Sequence, residues 1–550
     1  MGRKPMKRST VAPFLVVLVS SVAGGWLLQQ GADRADNVYV RVRVLQEVVD
    51  RVSNSFVDEV ERDRLYESAI DGLIQELGDP HSSFMPASAY EDLRIRTEGE
   101  YGGVGLEVVD RGGFVTVVSP IPGGPGERMG IRAGDQFYEI NGVAADTMVT
   151  EQAVDLLRGR PGSDVTVRML RPGIEEPIEF TVPREVIVLK AVPFSIMLDD
   201  RVGYVPLLSF RETSASEIRA AIDSLMAEGM SALVLDVRGN PGGLLDQGIA
   251  VSDLFLSEGQ RIVETRGRDT RQNETYAAQR PDQYPDLPLV VLIDQASASA
   301  SEIIAGALQD HDRAVLVGET TFGKGSVQSL YRLTGGDVLR LTTAKWYTPV
   351  GRSIHLDPDA RFASPDGEMV RAYSIDGQLV EPVTIAGRPE FQSTGGRTLY
   401  GGGGITPDLF VSPETLASSE STGVLRLFRR GGGFSVALFN YAVEYIAAHP
   451  DLQTGFSLTA QDMAAFYEIL GDGDDGVGPE EFAAAERFVR YHLEREIALQ
   501  AWGQEGEFRQ LQGHDRQLAR AVELLRNAES PDDLIASASD TRADSLAARR

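Results

Sequence analysis

The sequence predicts a multidomain protein with an α/β core, a β-rich domain before it, and helical regions at both ends. Three observations lead to this fold class. The 550 residues exceed what one hydrophobic core holds, since domains usually have about 100–200 residues. Hydrophobic residues make up 42% of the chain and charged residues 24%, which is typical of folded globular proteins. Along the chain, the spacing of apolar residues changes between helical and strand-like patterns.

The charge and the cysteine content exclude several functions. The chain has 53 Lys and Arg against 81 Asp and Glu, a formal net charge of −28. This charge repels polyanions, so we expect no nucleic acid partner. The sequence has no cysteine, which excludes disulfides, cysteine nucleophiles and thiolate metal sites. Its six histidines show no HExxH spacing, and we expect neither a metal nor a cofactor.

Residues 1–30 have the pattern of an export signal. An apolar run from Val11 to Leu28 follows four basic residues, Arg3, Lys4, Lys7 and Arg8. Its length, about 18 residues, is the lower limit for a membrane span. Ser21-Val22-Ala23 offers a cleavage site, so a cleaved signal and an uncleaved anchor are both open, with the anchor favoured. We therefore expect an exported, periplasmic or other extracytoplasmic protein, held at the inner membrane by this segment.

Two regions lie between this segment and the core. Residues 37–95 carry apolar residues at helical spacing and include the helix-stopping turn Gly78-Asp79-Pro80-His81. Residues 96–185 change to short β-branched runs separated by Gly and Pro. The first region is thus predicted to be helical and the second to be β-rich.

The core and the C-terminal regions follow. Residues 186–412 alternate strands with helices, which predicts an α/β layered core. One example is the apolar run 232–237, which ends in the turn Arg238-Gly239-Asn240-Pro241-Gly242-Gly243. Residues 422–528 return to a helical pattern, and residues 529–550 have the composition of a flexible tail.

Candidate chemistry lies in two segments of the core. Small residues in Ser297-Ala298-Ser299-Ala300-Ser301 lead from an apolar strand into a helix, where amides at the helix start can hold an oxyanion. The lysine of Gly323-Lys324-Gly325 can enter a tight pocket in which desolvation lowers its pKa, so that it becomes a base for serine. Taken alone, the first segment also fits tight helix packing and the second an exposed turn.

The β-rich segment resembles a PDZ domain of the bacterial secreted-protease type. The resemblance rests on Tyr101-Gly102-Gly103-Val104-Gly105-Leu106, Ala133-Gly134-Asp135 and Asn141-Gly142. In that fold a glycine-rich loop presents backbone N–H groups to a peptide's terminal carboxylate, and the peptide adds a strand to the sheet edge. The resemblance places the carboxylate site at Gly103, Val104, Gly105 and Leu106.

Residues 37–412 as a whole resemble the carboxy-terminal processing proteases, also called tail-specific proteases. The resemblance rests on ordered motifs: Asp79-Pro80-His81-Ser82, the PDZ block, 238–243, 297–302, 323–325, Tyr347-Thr348-Pro349-Val350-Gly351-Arg352-Ser353-Ile354 and Gly404-Ile405-Thr406-Pro407-Asp408. It implies a crotonase/Clp-like α/β protease core with an inserted PDZ domain, N-terminal helices and a C-terminal helical module. Residues 356–402 are an insertion relative to many members.

The same resemblance implies the catalytic residues. Ser299 matches the nucleophile, Lys324 the general base and Gln328 the residue that orients the lysine. Gly243 and Ala300 match the amides of the oxyanion hole, with Gly242 as a second choice for the former. Ser297 and Ser301 then either lie at the start of the helix or contribute to its packing.

We therefore expect a serine endopeptidase that binds accessible protein C-termini through its PDZ domain and cleaves by a Ser–Lys acyl-enzyme mechanism. The alternative is a non-catalytic PDZ adaptor on a protease scaffold.

His311 within Asp310-His311-Asp312 imitates part of a catalytic triad, but a loop position is favoured. The acidic segment Asp472-Gly473-Asp474-Asp475-Gly476 lacks the residue spacing of a calcium-binding loop, so we interpret it as an acidic turn. Residues 422–528 are expected to mediate homo-oligomerisation, with packing on the core as the alternative.

Overall fold

The computed structural model describes residues 38–547 except 112, 173, 357–371, 381–386, 429–432 and 472–476. The predicted export segment 1–30 and parts of the predicted insertion 356–402 therefore lie outside the described residues. In the part of the chain that is described, no helix is both long enough and apolar enough to cross a bilayer. The chain divides into two compact units, Met1–Pro86 with Leu330–Leu341 and Ala87–Ser329 with Thr342–Arg550.

The first unit contains two helices and a short strand. These are α1 (Val38–Ser55), α2 (Arg62–Gln75) and β1 (Ser83–Met85), which pairs antiparallel with residues 338–340. The helices form where the apolar spacing predicts them, and each buries one residue of its apolar face, Val49 and Ile74 respectively. The rest of that apolar spacing is exposed, as in Val42 at 59% and Leu73 at 69%.

In the second unit, residues 100–188 form a β-rich domain after α3 (Ala87–Glu98). Its sheet has the order β3-β4-β5-β7-β8, with β6 paired to β5. The strands are β3 (Leu106–Arg111), β4 (Phe114–Pro120), β5 (Gln136–Ile140), β6 (Val143–Ala144), β7 (Asp164–Leu170) and β8 (Ile178–Pro183). Two helices, α4 (Pro125–Arg128) and α5 (Thr150–Leu157), complete it. Antiparallel pairing of β2 (Glu100–Gly103) with β9 (Glu185–Val188) brings the two ends of the domain together.

The core is a six-stranded sheet of order β10-β11-β12-β15-β16-β23. The strands are β10 (Ile196–Met197), β11 (Val202–Pro206), β12 (Ala232–Asp236), β15 (Leu289–Ile293), β16 (Val315–Gly318) and β23 (Leu409–Phe410). All neighbours are parallel except β10 and β11. Helices α6 (Ser214–Ala227), α7 (Leu245–Ser252) and α8 (Ala300–Asp310) connect them. Strands such as β12 and β15 are buried along their whole length, as continuous apolar runs in parallel sheets usually are.

Further strands lie outside this sheet. β13 (Arg261–Gly267) pairs antiparallel with β14 (Glu274–Ala277) and with residues 344–347 of β18 (Val338–Tyr347), which also pairs with β17 (Ser326–Arg332). Two short hairpins follow in the region of the predicted insertion, β19 (Ala372–Tyr373) with β20 (Leu379–Val380), and β21 (Glu390–Gln392) with β22 (Thr398–Tyr400).

The C-terminal region is helical, as predicted. Its helices are α9 (Ser418–Phe428), α10 (Gly433–Ala448), α11 (Ala460–Gly471), α12 (Pro479–Leu511), α13 (Arg516–Asn527) and α14 (Pro531–Ala547). Most of its aromatic residues form a cluster of their own around Phe434, Phe466 and Phe488. Leu518 and Leu525 of α13 pack with the core sheet. The apolar faces of these helices thus pack within the chain, as expected from the alternative to self-association. Homo-oligomerisation through residues 422–528 stays a prediction.

The segment 529–550 was expected to be a flexible tail, but it contains α14. Leu534 and Ala538 of this helix are buried against the core, because the apolar residues recur at helical spacing.

The β-rich domain contacts the C-terminal region at α10. The Arg111 guanidinium lies 3.7 Å from the centre of the Phe439 ring. Arg111 Nη1 also donates to the carbonyl of Ser435 at 3.4 Å.

Candidate active site

Three loops meet at one edge of the core sheet. β12, β15 and β16 are parallel neighbours, so the loops that follow them start at the same edge. Open α/β sheets place functional loops at this edge. The N–H of Ala298 donates to the carbonyl of Asn240 at 3.0 Å, and the N–H of Phe322 donates to the carbonyl of Ser297 at 3.0 Å. These bonds join all three loops.

Ser299 occupies the turn between β15 and α8. Its φ of 57° and ψ of −114° are sparsely populated by residues other than glycine, so the surrounding contacts must hold it there. The next residue, Ala300, begins α8, all 11 residues of which are buried. Ser299 therefore lies at the positive end of a helix dipole that is shielded from water.

Gly242 and Gly243 lie beside this serine. A Cβ added to Gly242 would be 2.7 Å from Ser299 Cβ and 3.0 Å from Ala300 N, so the glycine permits a close approach. Gly243 forms a bridge with Phe210, whose N–H donates to Gly242 O at 3.0 Å and whose carbonyl accepts from the residue after Gly243 at 2.9 Å. This pairing does not use the Gly243 N–H. The Ala300 N–H belongs to the first helical turn, where amides have no acceptor within the helix.

Two neighbouring serines fasten the turn to the glycine-rich loop. Ser297 Oγ donates to the carbonyl of Val237 at 2.8 Å, and Ser301 Oγ donates to the carbonyl of Asn240 at 2.9 Å. Both serines are fully buried. These bonds connect the turn that contains Ser299 to the segment 237–240, and both serines lie at the start of α8, where the sequence places them.

Arg238 links the glycine-rich loop to the C-terminal helices. Its Nη2 lies 2.6 Å from Asp236 Oδ2 and 2.7 Å from Asp515 Oδ2, and Asp515 caps α13. Burial alone would lower the pKa of Arg238, but the two carboxylates outweigh burial and raise it. The next amide, of Gly239, donates to both oxygens of Asp294 at 3.0 Å. Charged contacts thus fix the start of this loop from two sides.

Lys324 lies in the turn after β16. Its N–H donates to Glu302 Oε2 at 2.9 Å, and its carbonyl accepts from Trp346 Nε1 at 3.0 Å. Gly323, with φ of 89°, provides the left-handed conformation that the turn requires. The main chain of the candidate base is therefore held at both ends, and the residue is half-buried.

Gln328, expected to orient the lysine, lies on β17. Its Nε2 donates to Ser326 Oγ at 3.0 Å and to Thr342 Oγ1 at 3.3 Å. These bonds fix the amide group on the strand that leaves the Lys324 turn. A contact with the lysine side chain stays a prediction.

Sequence reasoning missed the role of Glu302. Its Oε2 accepts the N–H groups of both Ser299 and Lys324 at 2.9 Å, so one carboxylate connects the candidate nucleophile and the candidate base. The contact of Glu302 with Ser299 could have been predicted from the sequence, because the two residues have the spacing of a capping box. The contact with Lys324 has no local signal, since the two residues are 22 positions apart.

The predicted carboxylate-binding loop, Gly103–Leu106, lies in the β-rich domain and leads into β3. The carbonyls of Val104 and Gly105 accept from Gly126 N at 2.8 Å and from Ile121 N at 2.9 Å. β3 is an edge strand of its sheet, and α5 lies close to it. An edge strand beside a helix, preceded by a glycine-rich loop, can accept an extended peptide as an additional strand.

The sequence also offered His311, possible metal ligands and the acidic turn 472–476 as candidate functional groups. The ring of His311 is bound by its neighbours, with Nε2 2.7 Å from the carbonyl of Arg261 and Nδ1 3.5 Å from Gln260 Nε2. Across the described residues, no group of three or more His, Cys, Asp or Glu side chains could hold a metal ion. The acidic turn 472–476 lies outside the described residues.

Glu319, which follows β16, predicts a pH dependence of stability. The side chain is buried, 7% exposed, and burial raises its pKa from 4.5 to about 7. In the unfolded chain this carboxyl has an ordinary pKa, so it loses its proton at a lower pH than in the folded protein. Its contribution to stability is therefore fully present below the pKa of the unfolded chain and is lost as pH rises through the pKa of the folded protein. Glu319→Gln stays neutral throughout, so its stability gain over wild type should be about 2 kcal/mol larger at pH 8.5 than at pH 5. Chemical denaturation at both pH values measures this difference.

A matched control is Glu258→Gln, since Glu258 is an exposed carboxylate of the same unit. We expect its effect on stability to be the same at both pH values. A gain from Glu319→Gln that does not change between pH 5 and pH 8.5 would contradict the neutral state of the buried carboxyl.

Comparisons with known proteins bear on the whole arrangement. Residues 201–362 match Peptidase family S41, residues 116–171 match the PDZ domain, and residues 26–89 match the Activating protease CtpB N-terminal domain. The carboxy-terminal-processing protease of Bartonella bacilliformis is 38% identical over 368 residues, which cover 66% of this chain and 82% of that protein. Carboxy-terminal processing protease CtpA of Bacillus subtilis is 33% identical over 374 residues, which cover 66% and 79%. Among solved structures, the photosystem II D1 C-terminal processing protease is 31% identical, with 56% and 82% covered and a TM-score of 0.33.

Proposed function

Because the chain belongs to the carboxy-terminal processing proteases of peptidase family S41, which are serine-type endopeptidases, we propose that it cleaves protein chains by a Ser–Lys dyad with Ser299 as nucleophile. The observation that carries this proposal is the position of Ser299. It lies in a strained turn at the start of a buried helix, with Gly242 against its Cβ and the Lys324 turn bound to the same carboxylate.

The residues support a two-step mechanism. The amine of Lys324 accepts the proton of Ser299 as its Oγ attacks the scissile carbonyl carbon. The N–H groups of Ala300 and Gly243 stabilise the resulting oxyanion. The lysine then donates the proton to the leaving amine, which yields an acyl-enzyme. Water attacks the ester with Lys324 again as the base, and Ser299 is released. In this mechanism Gln328 orients the lysine amine.

Substrate delivery is assigned to the PDZ domain, which binds peptide or protein C-termini. We place the terminal carboxylate at the amides of Gly103–Leu106 and the preceding residues along the edge of β3. Binding at a remote carboxylate raises the local concentration of an unstructured tail near Ser299. The substrates are therefore proteins with accessible, unstructured C-termini.

The cellular setting is part of the proposal. Residues 1–30 would export the protein and anchor it at the inner membrane, which places the protease core on the periplasmic side. Self-association through residues 422–528 is proposed as a dimer. Light scattering on the chain without its first 30 residues distinguishes a dimer from a monomer.

C-terminal recognition predicts a difference between free-acid and amidated substrates. Amidation removes the negative charge and one acceptor oxygen, and hydrogen bonds to a charged group contribute about 1.5–3 kcal/mol each. We expect kcat/KM for a tailed protein to fall roughly 10- to 100-fold when its C-terminus is amidated. Initial rates at sub-saturating concentration measure this ratio, and Ser299→Ala should cleave neither substrate.

The matched control is the same substrate acetylated at its N-terminus, which changes the other end of the chain and should be cleaved at the unmodified rate. Equal rates for free-acid and amidated substrates would refute the carboxylate site. Cleavage by Ser299→Ala would refute the nucleophile, whereas wild-type protein that binds tails without cleaving them would favour the non-catalytic adaptor.

A further inference from the structure

The side chain of Glu302 makes four hydrogen bonds and is completely buried. Its Oε1 accepts from Thr321 Oγ1 at 2.6 Å and from Gly323 N at 2.7 Å. Its Oε2 accepts from Ser299 N and Lys324 N, both at 2.9 Å. Its exposure is 0%. Each carboxylate oxygen thus receives two donors, all of them uncharged groups.

This arrangement suits a group that accepts hydrogen bonds at both of its oxygens. Three of the four donors are backbone N–H groups, which cannot accept, so an amide in place of the carboxylate would face at least one of them with its own hydrogen and lose that bond. Burial raises the pKa of Glu302 above its ordinary value, although its four hydrogen bonds oppose this rise. An ionised carboxylate at the start of α8 also interacts favourably with the helix dipole.

The bonds act on the two residues that must meet. Ser299 has a backbone conformation that is unfavourable for a residue with a side chain, and the bond from its N–H fixes that conformation. The Lys324 turn follows a different strand, and its N–H is bound to the same oxygen. A single atom, Oε2, therefore sets the spacing between the nucleophile turn and the base turn.

We infer that Glu302 is the positioning residue of the dyad, which holds Ser299 and Lys324 in register through their main-chain amides. The inference rests on the proposed Ser–Lys mechanism. A group that sets this register affects the chemical step more than substrate binding, because a misplacement of about 1 Å between reacting groups lowers the rate about 100-fold. The peptide-binding loop lies in another domain and is independent of this contact.

Glu302→Gln tests the inference because it keeps the shape of the side chain, but its NH2 group must face either Ser299 N and Lys324 N or Gly323 N, so a bond to the Ser299 turn or to the Lys324 turn is lost in both orientations. With an internally quenched peptide that has a free C-terminus, we expect kcat to fall at least about 100-fold with KM within twofold of wild type. Affinity for a non-cleavable free-acid peptide, measured by fluorescence anisotropy, should not change. Wild-type kcat in a folded Glu302→Gln would overturn the inference.

The matched control is Asp310→Asn, which alters another fully buried carboxylate on the same helix, paired with Arg352 at 2.7 Å. It should lower thermal stability and leave kcat within a few fold of wild type. An equal loss of kcat in both variants would show a general structural effect and overturn the inference. If Glu302→Gln does not fold, Glu302→Asp keeps the charge but withdraws it by about 1.5 Å. We then expect at least a tenfold lower kcat, and wild-type kcat in that variant overturns the inference.

Ser299→Ala, assayed alongside, separates this inference from the proposed function. If that variant cleaves the peptide, the dyad is wrong and the role of Glu302 falls with it. If Ser299→Ala is inactive while folded Glu302→Gln has wild-type kcat, only the role of Glu302 is wrong.

Discussion

Lys324→Arg is expected to lower kcat by about 10,000-fold although it keeps a positive charge. A guanidinium is not deprotonated in proteins and cannot accept the proton of Ser299. Loss of a base that acts as a unit with its nucleophile has effects of this size or larger. The turn should stay in place, because its main chain is held by Glu302 and Trp346. Steady-state kinetics on a free-acid peptide measures the loss.

The control for this exchange is Lys345→Arg, an exposed lysine on β18, which should retain wild-type kcat. In the wild type, activity should rise towards alkaline pH as the lysine loses its proton. More than a few per cent of wild-type kcat in Lys324→Arg would show that another group is the base.

Gly242→Ala is expected to lower kcat about 1,000-fold with a much smaller effect on stability. Its φ of 96° is unfavourable for alanine, which costs about 1–2 kcal/mol. The new Cβ would also lie 2.7 Å from Ser299 Cβ, so the nucleophile or the glycine loop must move. Loss of one oxyanion donor alone lowers kcat about 100- to 1,000-fold, and a displaced nucleophile brings the expected loss to the upper end of this range. Peptide kinetics and thermal denaturation on the same samples test this.

Gly259→Ala separates strain from displacement. Gly259 has a similar φ of 84°, but a Cβ there would meet no atom within 4 Å. We expect a comparable loss of stability and unchanged kcat. If both variants lose activity equally, the close approach of Gly242 to the nucleophile is not what matters.

The fold class could be predicted because its main signals are local. Continuous apolar runs gave the buried strands β12 and β15, and the family membership confirms an S41 protease with an inserted PDZ domain. The helical character of both ends was also visible in the spacing of apolar residues. What those apolar faces contact was not visible, since that depends on tertiary packing. The face of α1 is largely exposed, whereas α13 packs with the core sheet.

The candidate site was predictable to the extent that its residues lie in short motifs. Ser299, Lys324 and the glycine loop were found in this way, and the structure brings their three loops together. The supporting contacts connect distant positions, such as Arg238 with Asp515, 277 residues apart. Charge complementarity over such a separation has no sequence pattern. The role of Glu302 was hidden for the same reason, although its capping spacing to Ser299 was local.

The identity of the nucleophile is tested most directly by mass spectrometry after reaction with a biotin-linked fluorophosphonate, a reagent that transfers its phosphonyl group to an activated serine with loss of fluoride. Peptide mapping of the wild-type protein should show one phosphonyl group, on Ser299, and parallel loss of peptidase activity. The label should be absent from Ser299→Ala and form much more slowly in Lys324→Arg. Inactivating label on any other residue, or cleavage by a protein whose Ser299 is fully modified, would contradict the Ser299 nucleophile.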